Sequence, residues 1–371
     1  MRIALIVTQG EHGGVQDLLA RFMHWLKKNG HEVAVFCGTD GWLQKRCEEA
    51  QIPFIRLKHL KREIHPVHDL LAIKEIKDAL TQFRPDAVHL NSTKTGIIGS
   101  IAAHLAKVKR VTYRIGGWVF LEDLPAWKKQ IYILAEKYTA RVKDIIICVH
   151  PADIEVANTY KIKPKQKIIS VPNGINAEQF RLTQLPRGQA RVALGIDGFV
   201  FGTIANFYPP KDLPRYIEAC SLVAQKMPQA RFLLIGDGEQ RSQIEAAIKT
   251  YGLEKQVMLA GTREDADISY NAFDIFVLPS SKEGMSWALL KAMAAGIPSI
   301  ATDVGAAKWM LSDNCGVVVP PQNPRALADA MIDLASNEAM CNQLSENAKN
   351  KAASSFQEEA TYRGNLEALE A

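Results

Sequence analysis

What most limits the fold of this chain is a rhythm that runs through it twice. Short apolar runs at 3–7, 33–37, 87–90, 111–115, 145–149 and 168–171 are separated by helical patterns at 15–28, 70–83, 96–106 and 126–140. A strand whose flanks are both apolar is covered on both faces, and helices between such strands supply the crossovers of a parallel sheet. The rhythm pauses over 172–196, a stretch rich in Pro, Asn, Gly and Gln. It then restarts at 199–205, 231–235, 257–259, 275–278, 298–301 and 317–319. With 371 residues, more than one core usually organises, the simplest reading is two α/β sheets joined by one polar linker. The helical end, roughly 325–371, is longer than the second sheet needs.

Composition removes several classes. Hydrophobic residues at 47% and charged residues at 23% are ordinary globular values, and no uncharged apolar run reaches the length of a membrane-spanning helix. The run that opens the chain passes directly into a polar loop, which reads as a first strand and not as a signal peptide. Six cysteines, at 37, 47, 148, 220, 315 and 341, form no Cys-x-x-Cys pair. They read as reduced thiols of a cytoplasmic protein. Charge divides unevenly: residues 1–180 hold 27 Lys and Arg against 18 Asp and Glu, and residues 181–371 hold 18 against 22. A basic front half suits an anionic membrane surface or an anionic substrate. No nucleic-acid-binding motif accompanies the charge.

Five motifs follow strand-like runs. Gly13-Gly14 opens a helix, and a helix start offers unpaired N–H groups and a positive dipole end to a phosphate; alone it is also an ordinary turn. Asn206 and Lys211 follow the first strand of the second half, where a fixed cation can meet negative charge. Gly236-Asp237-Gly238-Glu239 and Gly261-Thr262-Arg263 end the next two strands. The most specific block runs from Ser280 through Glu283, Gly284, Met285, Ser286, Trp287 and Ala288 to Lys291 and Pro298. In it Ser286 is a helix N-cap, and the amides around Gly284–Ala288 offer a helix start to an anion. Neither Asp-x-Asp nor a His/Asp cluster sits at a strand end, so no metal is called for.

In order and spacing these motifs resemble glycosyltransferase family 4, nearly end to end. Leu60-Lys61-Arg62-Glu63-Ile64, Lys94-Thr95-Gly96-Ile97-Ile98-Gly99 and Gly117-Trp118-Val119-Phe120 look most like a bacterial branch that builds surface polysaccharides and lipid-linked oligosaccharides. The resemblance implies an α/β protein of GT-B architecture: two Rossmann-like, doubly wound domains facing across a cleft. It places an acceptor domain at 1–177 with 355–371, and a donor domain at 178–354. It implies a retaining transferase without cofactor or metal, moving a hexose or N-acetylhexosamine from a nucleotide sugar, UDP-linked in the first instance, to a saccharide or polyprenyl-linked acceptor. By the same resemblance Lys211 and Glu283 are catalytic. Gly13, Gly14, Asn206, Gly236, Gly238, Thr262, Arg263, Gly284, Met285, Ser286, Trp287, Ala288 and Lys291 line the donor, and Lys94, Gly117 and Trp118 lie on the acceptor side.

Three positions depart from the family pattern. The acid that normally binds the ribose, eight positions after Glu283, is Lys291, and a cation cannot accept hydrogen bonds from a diol. A motif that commonly reads His-Gly-Trp is Gly116-Gly117-Trp118, and Lys308 replaces an acid after Val304-Gly305. Lys291 can instead pair a phosphate in an active enzyme. Two other readings stay open: a transferase-like partner or scaffold that has lost catalysis, and a nucleotide-sugar 2-epimerase. His12, His89 and His150 are possible bases but read more simply as surface or satisfied histidines. Arg56-Leu57-Lys58-His59-Leu60-Lys61-Arg62 and Pro125-Ala126-Trp127-Lys128-Lys129-Gln130-Ile131-Tyr132 mix basic and aromatic residues as a peripheral membrane contact does. The plainer alternative turns Trp127 and Ile131 toward the core.

Overall fold

In the computed structural model, which describes residues 1–263 and 265–371, the strands form two parallel sheets. The first contains β1 (Arg2–Val7), β2 (Glu32–Cys37), β3 (Phe54–Arg56), β4 (Ala87–Leu90), β5 (Arg110–Ile115), β6 (Ile145–Cys148) and β7 (Lys167–Ser170), in the order β3-β2-β1-β4-β5-β6-β7. The second contains β8 (Phe199–Ile204), β9 (Ala230–Ile235), β10 (Val257–Leu259), β11 (Ile275–Leu278), β12 (Ser299–Thr302) and β13 (Val317–Val319), in the order β10-β9-β8-β11-β12-β13. All named pairings are parallel. Ile3 to Ile6 and Ile145 to Cys148 have no exposed surface, as expected of strands covered on both faces.

Each sheet reverses its winding once, between β1 and β4 in the first and between β8 and β11 in the second. Such a reversal parts the loops that leave the two strands at their carboxyl ends, and ligands of doubly wound sheets settle there. Gly13, Gly14 and Lys94 in the first half, and Asn206, Lys211 and Glu283 in the second, lie on or directly after these loops, and the remaining candidates follow neighbouring strands.

Close packing against the sheets requires glycine at two places. A Cβ on Gly202 would lie 2.1 Å from the Phe273 ring, and one on Gly96 would lie 2.4 Å from the Tyr113 ring. Gly96 belongs to a π-helical turn, Thr95–Gly99, that precedes the helix Ser100–Leu105 after β4.

The chain divides into two compact units. One is Met1–Pro172 with Ala360–Ala371, the other Asn173–Glu359. Ile175 is tied to the second unit by a bridge to Gln357 and by its N–H, which donates to Phe356 O at 2.8 Å. The helix Glu358–Glu370 brings Tyr362 against Phe22 and Trp25 of the first unit and Asn365 to the buried Arg114.

The stretch 172–196 is not the plain linker its composition indicates. It holds the helices Ala177–Thr183, capped by Asn176, and Arg187–Leu194, closed by Gly195 at φ 66°. Arg187 and Arg191 both pair with Asp274, and Gln184 donates to Asp267 O at 2.7 Å. The edge strand β3 and the helix Trp42–Glu49 were likewise not legible in the rhythm.

Candidate active site

In the second unit, the loops leaving β8 and β11 are stitched together by their backbones. Ser281 N donates to Pro210 O at 2.8 Å. Across that seam Lys211 Nζ donates to Glu283 Oε1 at 2.5 Å, and Ser280 Oγ donates to the same oxygen at 2.8 Å. Ser280 is itself buried, and Thr302 Oγ1 donates to its carbonyl at 2.5 Å. Glu283 is therefore aimed by two neighbours, with its side chain still 11% exposed and that of Lys211 25% exposed. A carboxylate and an ammonium at one winding reversal can serve sugar hydroxyls and a phosphate respectively.

The glycine turns fix this geometry. Gly305, at φ 53°, lies so close to the 283–284 backbone that a Cβ would fall 2.3 Å from Gly284 O, and Ala306 N donates to that carbonyl at 2.7 Å. Gly236 pairs with Gly261, and at φ 137° its Cβ would meet Ala205 O at 1.9 Å. Gly238, at φ 157°, packs on the Phe207 backbone, whose N–H donates to Asp237 O. The turns after β8, β9 and β10 thus form one wall, on which Asn206 and Thr262 are exposed. Ser286 caps the helix Trp287–Ala295 by accepting from Leu289 N. Met285 is buried, and its carbonyl accepts from Asn173 Nδ2 at 3.0 Å. Trp287 and Ala288 lie at the surface of the helix start, each partly exposed.

Lys291 does not stand as an isolated cation. Its Nζ donates to Asp267 Oδ2 at 2.5 Å, with the lysine side chain 14% exposed and the aspartate 47%. Arg263 is bound to its own loop: two nitrogens meet the two Asp265 oxygens, both at 2.7 Å, which holds Asp265 below the usual carboxylate range.

The first unit has a cavity of about 460 Å³ at its own winding reversal. Thr8 and Ser92, whose hydroxyls are 2.7 Å apart, and Lys94 form its polar end; Ile97, Ile98 and Val119 line an apolar wall. Lys94 Nζ is held by Asp69 Oδ1 at 2.6 Å and Glu63 O at 2.7 Å. Trp118 is buried, stacks on Phe120 and donates from Nε1 to Asp153 O at 2.9 Å, so it supports the loop from behind. Gly117 turns the chain beside it at φ 112°. At Gly116 a Cβ would meet nothing within 4 Å, so the departure from His leaves open space. Gly13 and Gly14 begin the helix Gly14–Lys28, with no side chain capping it. His89 is buried against Thr112, and burial lowers it to about 3, helped by Arg114; it stays neutral and structural. His12 stacks on Trp42, and burial lowers His150.

Two family profiles match the chain. One, described as "Glycosyl transferase 4-like domain", covers residues 13–174, and the other, "Glycosyl transferases group 1", covers 189–351. The chain belongs to the GT4-like glycosyltransferases. Over 363 residues the transferase is 27% identical to the "UDP-Gal:alpha-D-GlcNAc-diphosphoundecaprenol alpha-1,3-galactosyltransferase" of Escherichia coli, covering 96% of this chain and 93% of that one. It is 24% identical over 340 residues to the "Capsular polysaccharide biosynthesis glycosyltransferase CapM" of Staphylococcus aureus, covering 90% and 88%. Among solved structures it resembles Anabaena Alr3699/HepE in complex with UDP and glucose, with a TM-score of 0.86 at 19% identity over 100% and 99% of the two chains. It also resembles WaaG, a glycosyltransferase involved in lipopolysaccharide biosynthesis, with a TM-score of 0.75 at 18% identity over 97% and 98%. The fold of the transferase is GT-B.

The sequence of the transferase gives no sign of Asp267, and it places Ser280 in the motif block without a role. Ser280 stands three positions before Glu283, a spacing that lets its hydroxyl orient the carboxylate. Asp267 sits in a turn with no pattern. Among the described residues no group of three or more His, Cys, Asp or Glu is placed to hold a metal ion, and no helix is long and apolar enough to cross a membrane.

Proposed function

We propose that this transferase moves a hexose or N-acetylhexosamine, with retention and without a metal, from a nucleotide sugar to a saccharide or lipid-linked acceptor of bacterial surface polysaccharide. The Lys211–Glu283 pair at the winding reversal of the second sheet carries the reading. Glu283 accepts hydrogen bonds from hydroxyls of the transferred sugar. Lys211 meets the diphosphate as the bond from its oxygen to C1 breaks, aided by the helix start at Trp287. The new bond from C1 to the acceptor oxygen forms on the same face, and the acceptor hydroxyl proton passes to the departing phosphate. The cavity of the first unit, with Lys94 at one end, is the acceptor side. The name of the Escherichia coli relative above favours UDP-galactose as the first donor to try and a diphosphoundecaprenol-linked sugar as the first acceptor.

The pairing of Lys291 with Asp267 bears on the rival scaffold reading. A carboxylate remains beside the position where the family pattern has an acid, supplied by a different segment, so the site has moved its charge and has not inverted it.

Purified protein mixed with UDP-galactose and acceptor should release UDP and form an α-linked product. Lys211→Ala should cut kcat by about 100–1000-fold with an unchanged melting temperature. Thermal shifts against UDP-, GDP- and ADP-sugars identify the base, since selective binding stabilises the folded state. No shift and no turnover with any donor would favour the scaffold. An epimerised nucleotide sugar formed without acceptor would select the epimerase.

A further inference from the structure

Two walls of the 460 Å³ cavity in the first unit belong to different elements. The loop after β4 contributes Ser92, Thr93, Lys94, Ile97 and Ile98, and the helix Ala126–Ala140 contributes Ile131, Tyr132 and Ala135. That helix turns Ile133, Glu136 and Ala140 inward and leaves Trp127 62% and Ile131 50% exposed, which overturns the alternative that seats the latter two in the core. Between the two elements stands Tyr113 of β5, fully buried.

Tyr113 touches both. Its ring lies against Gly96 and fills the space that a Cβ there would take. Its hydroxyl donates to Glu136 Oε1 at 3.2 Å, and Thr93 hydrogen-bonds the same phenol. Burial, then the Glu136 carboxylate, holds this phenol well above the usual tyrosine range, so it stays protonated and able to donate. The other Glu136 oxygen receives Lys143 Nζ at 2.8 Å, and Lys143 also donates to Thr139 Oγ1 at 3.0 Å. Glu136 and Lys143 are buried as deeply as Tyr113.

A buried ion pair adds little to stability over apolar residues of similar volume, and a satisfied buried network holds its members in one arrangement. The succession Lys143, Glu136, Tyr113, Thr93 ends at the cavity, beside Lys94. Packing alone would be served by phenylalanine at position 113, since the ring and not the hydroxyl meets Gly96.

We propose that Tyr113 is a positioning residue: its hydroxyl ties the loop 92–99 to the helix Ala126–Ala140 and so sets the spacing of the walls between which the acceptor sits. What the cavity holds rests on the acceptor reading above; the tie between its walls does not.

Two variants remove the tie and spare the packing. Tyr113→Phe keeps the ring. Lys143→Met/Glu136→Leu replaces the ion pair by apolar residues of similar volume, which should leave the melting temperature close to that of wild type. The full chain is assayed with UDP-galactose and diphosphoundecaprenol-linked N-acetylglucosamine, the donor and acceptor named for the Escherichia coli relative. Both variants should raise the acceptor KM roughly tenfold, below the loss that an ångström of misplacement can cause. The KM of UDP-galactose should stay as in wild type, because Lys211 and Glu283 lie on the other unit. With neither substrate present, amide exchange of residues 93–99 should speed up several-fold in both variants, while β1 and β2 exchange as in wild type. Ile97→Trp, which fills the cavity from its own wall, should raise the acceptor KM on the order of tenfold or more.

If Ile97→Trp leaves the acceptor KM unchanged, the acceptor reading fails and takes the positioning role with it. If Ile97→Trp raises that KM while Tyr113→Phe and the double variant do not, the positioning role alone is overturned. Equal rises in the KM of donor and acceptor would assign the loss to general loosening, which also overturns it. Wild-type exchange of 93–99 in both variants overturns the tie itself, whether or not these substrates turn over.

Discussion

Glu283 Oε1 receives both the Lys211 ammonium and the Ser280 hydroxyl, so the carboxylate is oriented before any sugar arrives. Preorganisation of this kind lowers the reorganisation a reaction must meet. Lys291, on the helix Trp287–Ala295, and Asp267, in the turn Ala266–Ile268, form a second such pair, with the acid the more exposed. If Asp267 takes the ribose hydroxyls, Asp267→Ala should weaken UDP binding about tenfold in calorimetry, the scale of one charged hydrogen bond. Lys291→Met should then change it less than about threefold. The reverse ranking would make Lys291 the contact, as a phosphate partner. Lys211 and Glu283 could be singled out from the sequence because each falls in a motif that resembles the family's. Asp267 could not, because its relevance comes from a contact with a residue 24 positions away, and spacing along the chain carries no trace of it. Trp118 was placed on the acceptor side by its motif alone, and its burial shows how it acts there, supporting the loop.

At the scale of elements, the helix Ala126–Ala140 is held from inside by charge. Lys143 Nζ, fully buried, donates to Glu136 Oε2 at 2.8 Å and Thr139 Oγ1 at 3.0 Å, and it lies 4.3 Å from the Tyr113 ring. Breaking one side leaves a buried charge alone, so Lys143→Met should cost about 3–5 kcal/mol in denaturant unfolding. Lys143→Met/Glu136→Leu should recover most of that loss, since apolar residues of similar volume replace such pairs at little cost. Elements buried on both faces were legible, because burial writes continuous apolar runs. Those missed have weaker signatures. β3 is three residues long at the edge of its sheet. The two helices within 172–196 are short and bounded by Asn176, Pro186 and Gly195, and these capping residues look like a linker when read one at a time.

Across the whole molecule, the chain passes from one unit to the other twice, at Pro172–Asn173 and at Glu359–Ala360. The returning segment is part of the first unit's interior: Tyr362 packs on Phe22, Ala368 joins Ile145, Ile147 and Val171, and Asn365 meets the buried Arg114 guanidinium. Deleting residues 360–371 should therefore lower the stability of the first unit by more than about 3 kcal/mol, the scale of a large core truncation. The second unit should keep its own transition, and hydrogen exchange read unit by unit checks both. The two α/β units were foreseeable from the doubled rhythm. That the last helix joins the first unit was expected from the family resemblance alone; the rhythm carries no sign of it, because the joining side chains meet across hundreds of residues.

The same return has a consequence for biogenesis. On the ribosome, Phe22, Trp25 and Arg114 emerge long before the residues that cover them, and the entire second unit must be translated in between. The nascent first unit therefore waits, open along one flank, for a closing piece made last. Chaperone dependence during synthesis should be concentrated on that flank.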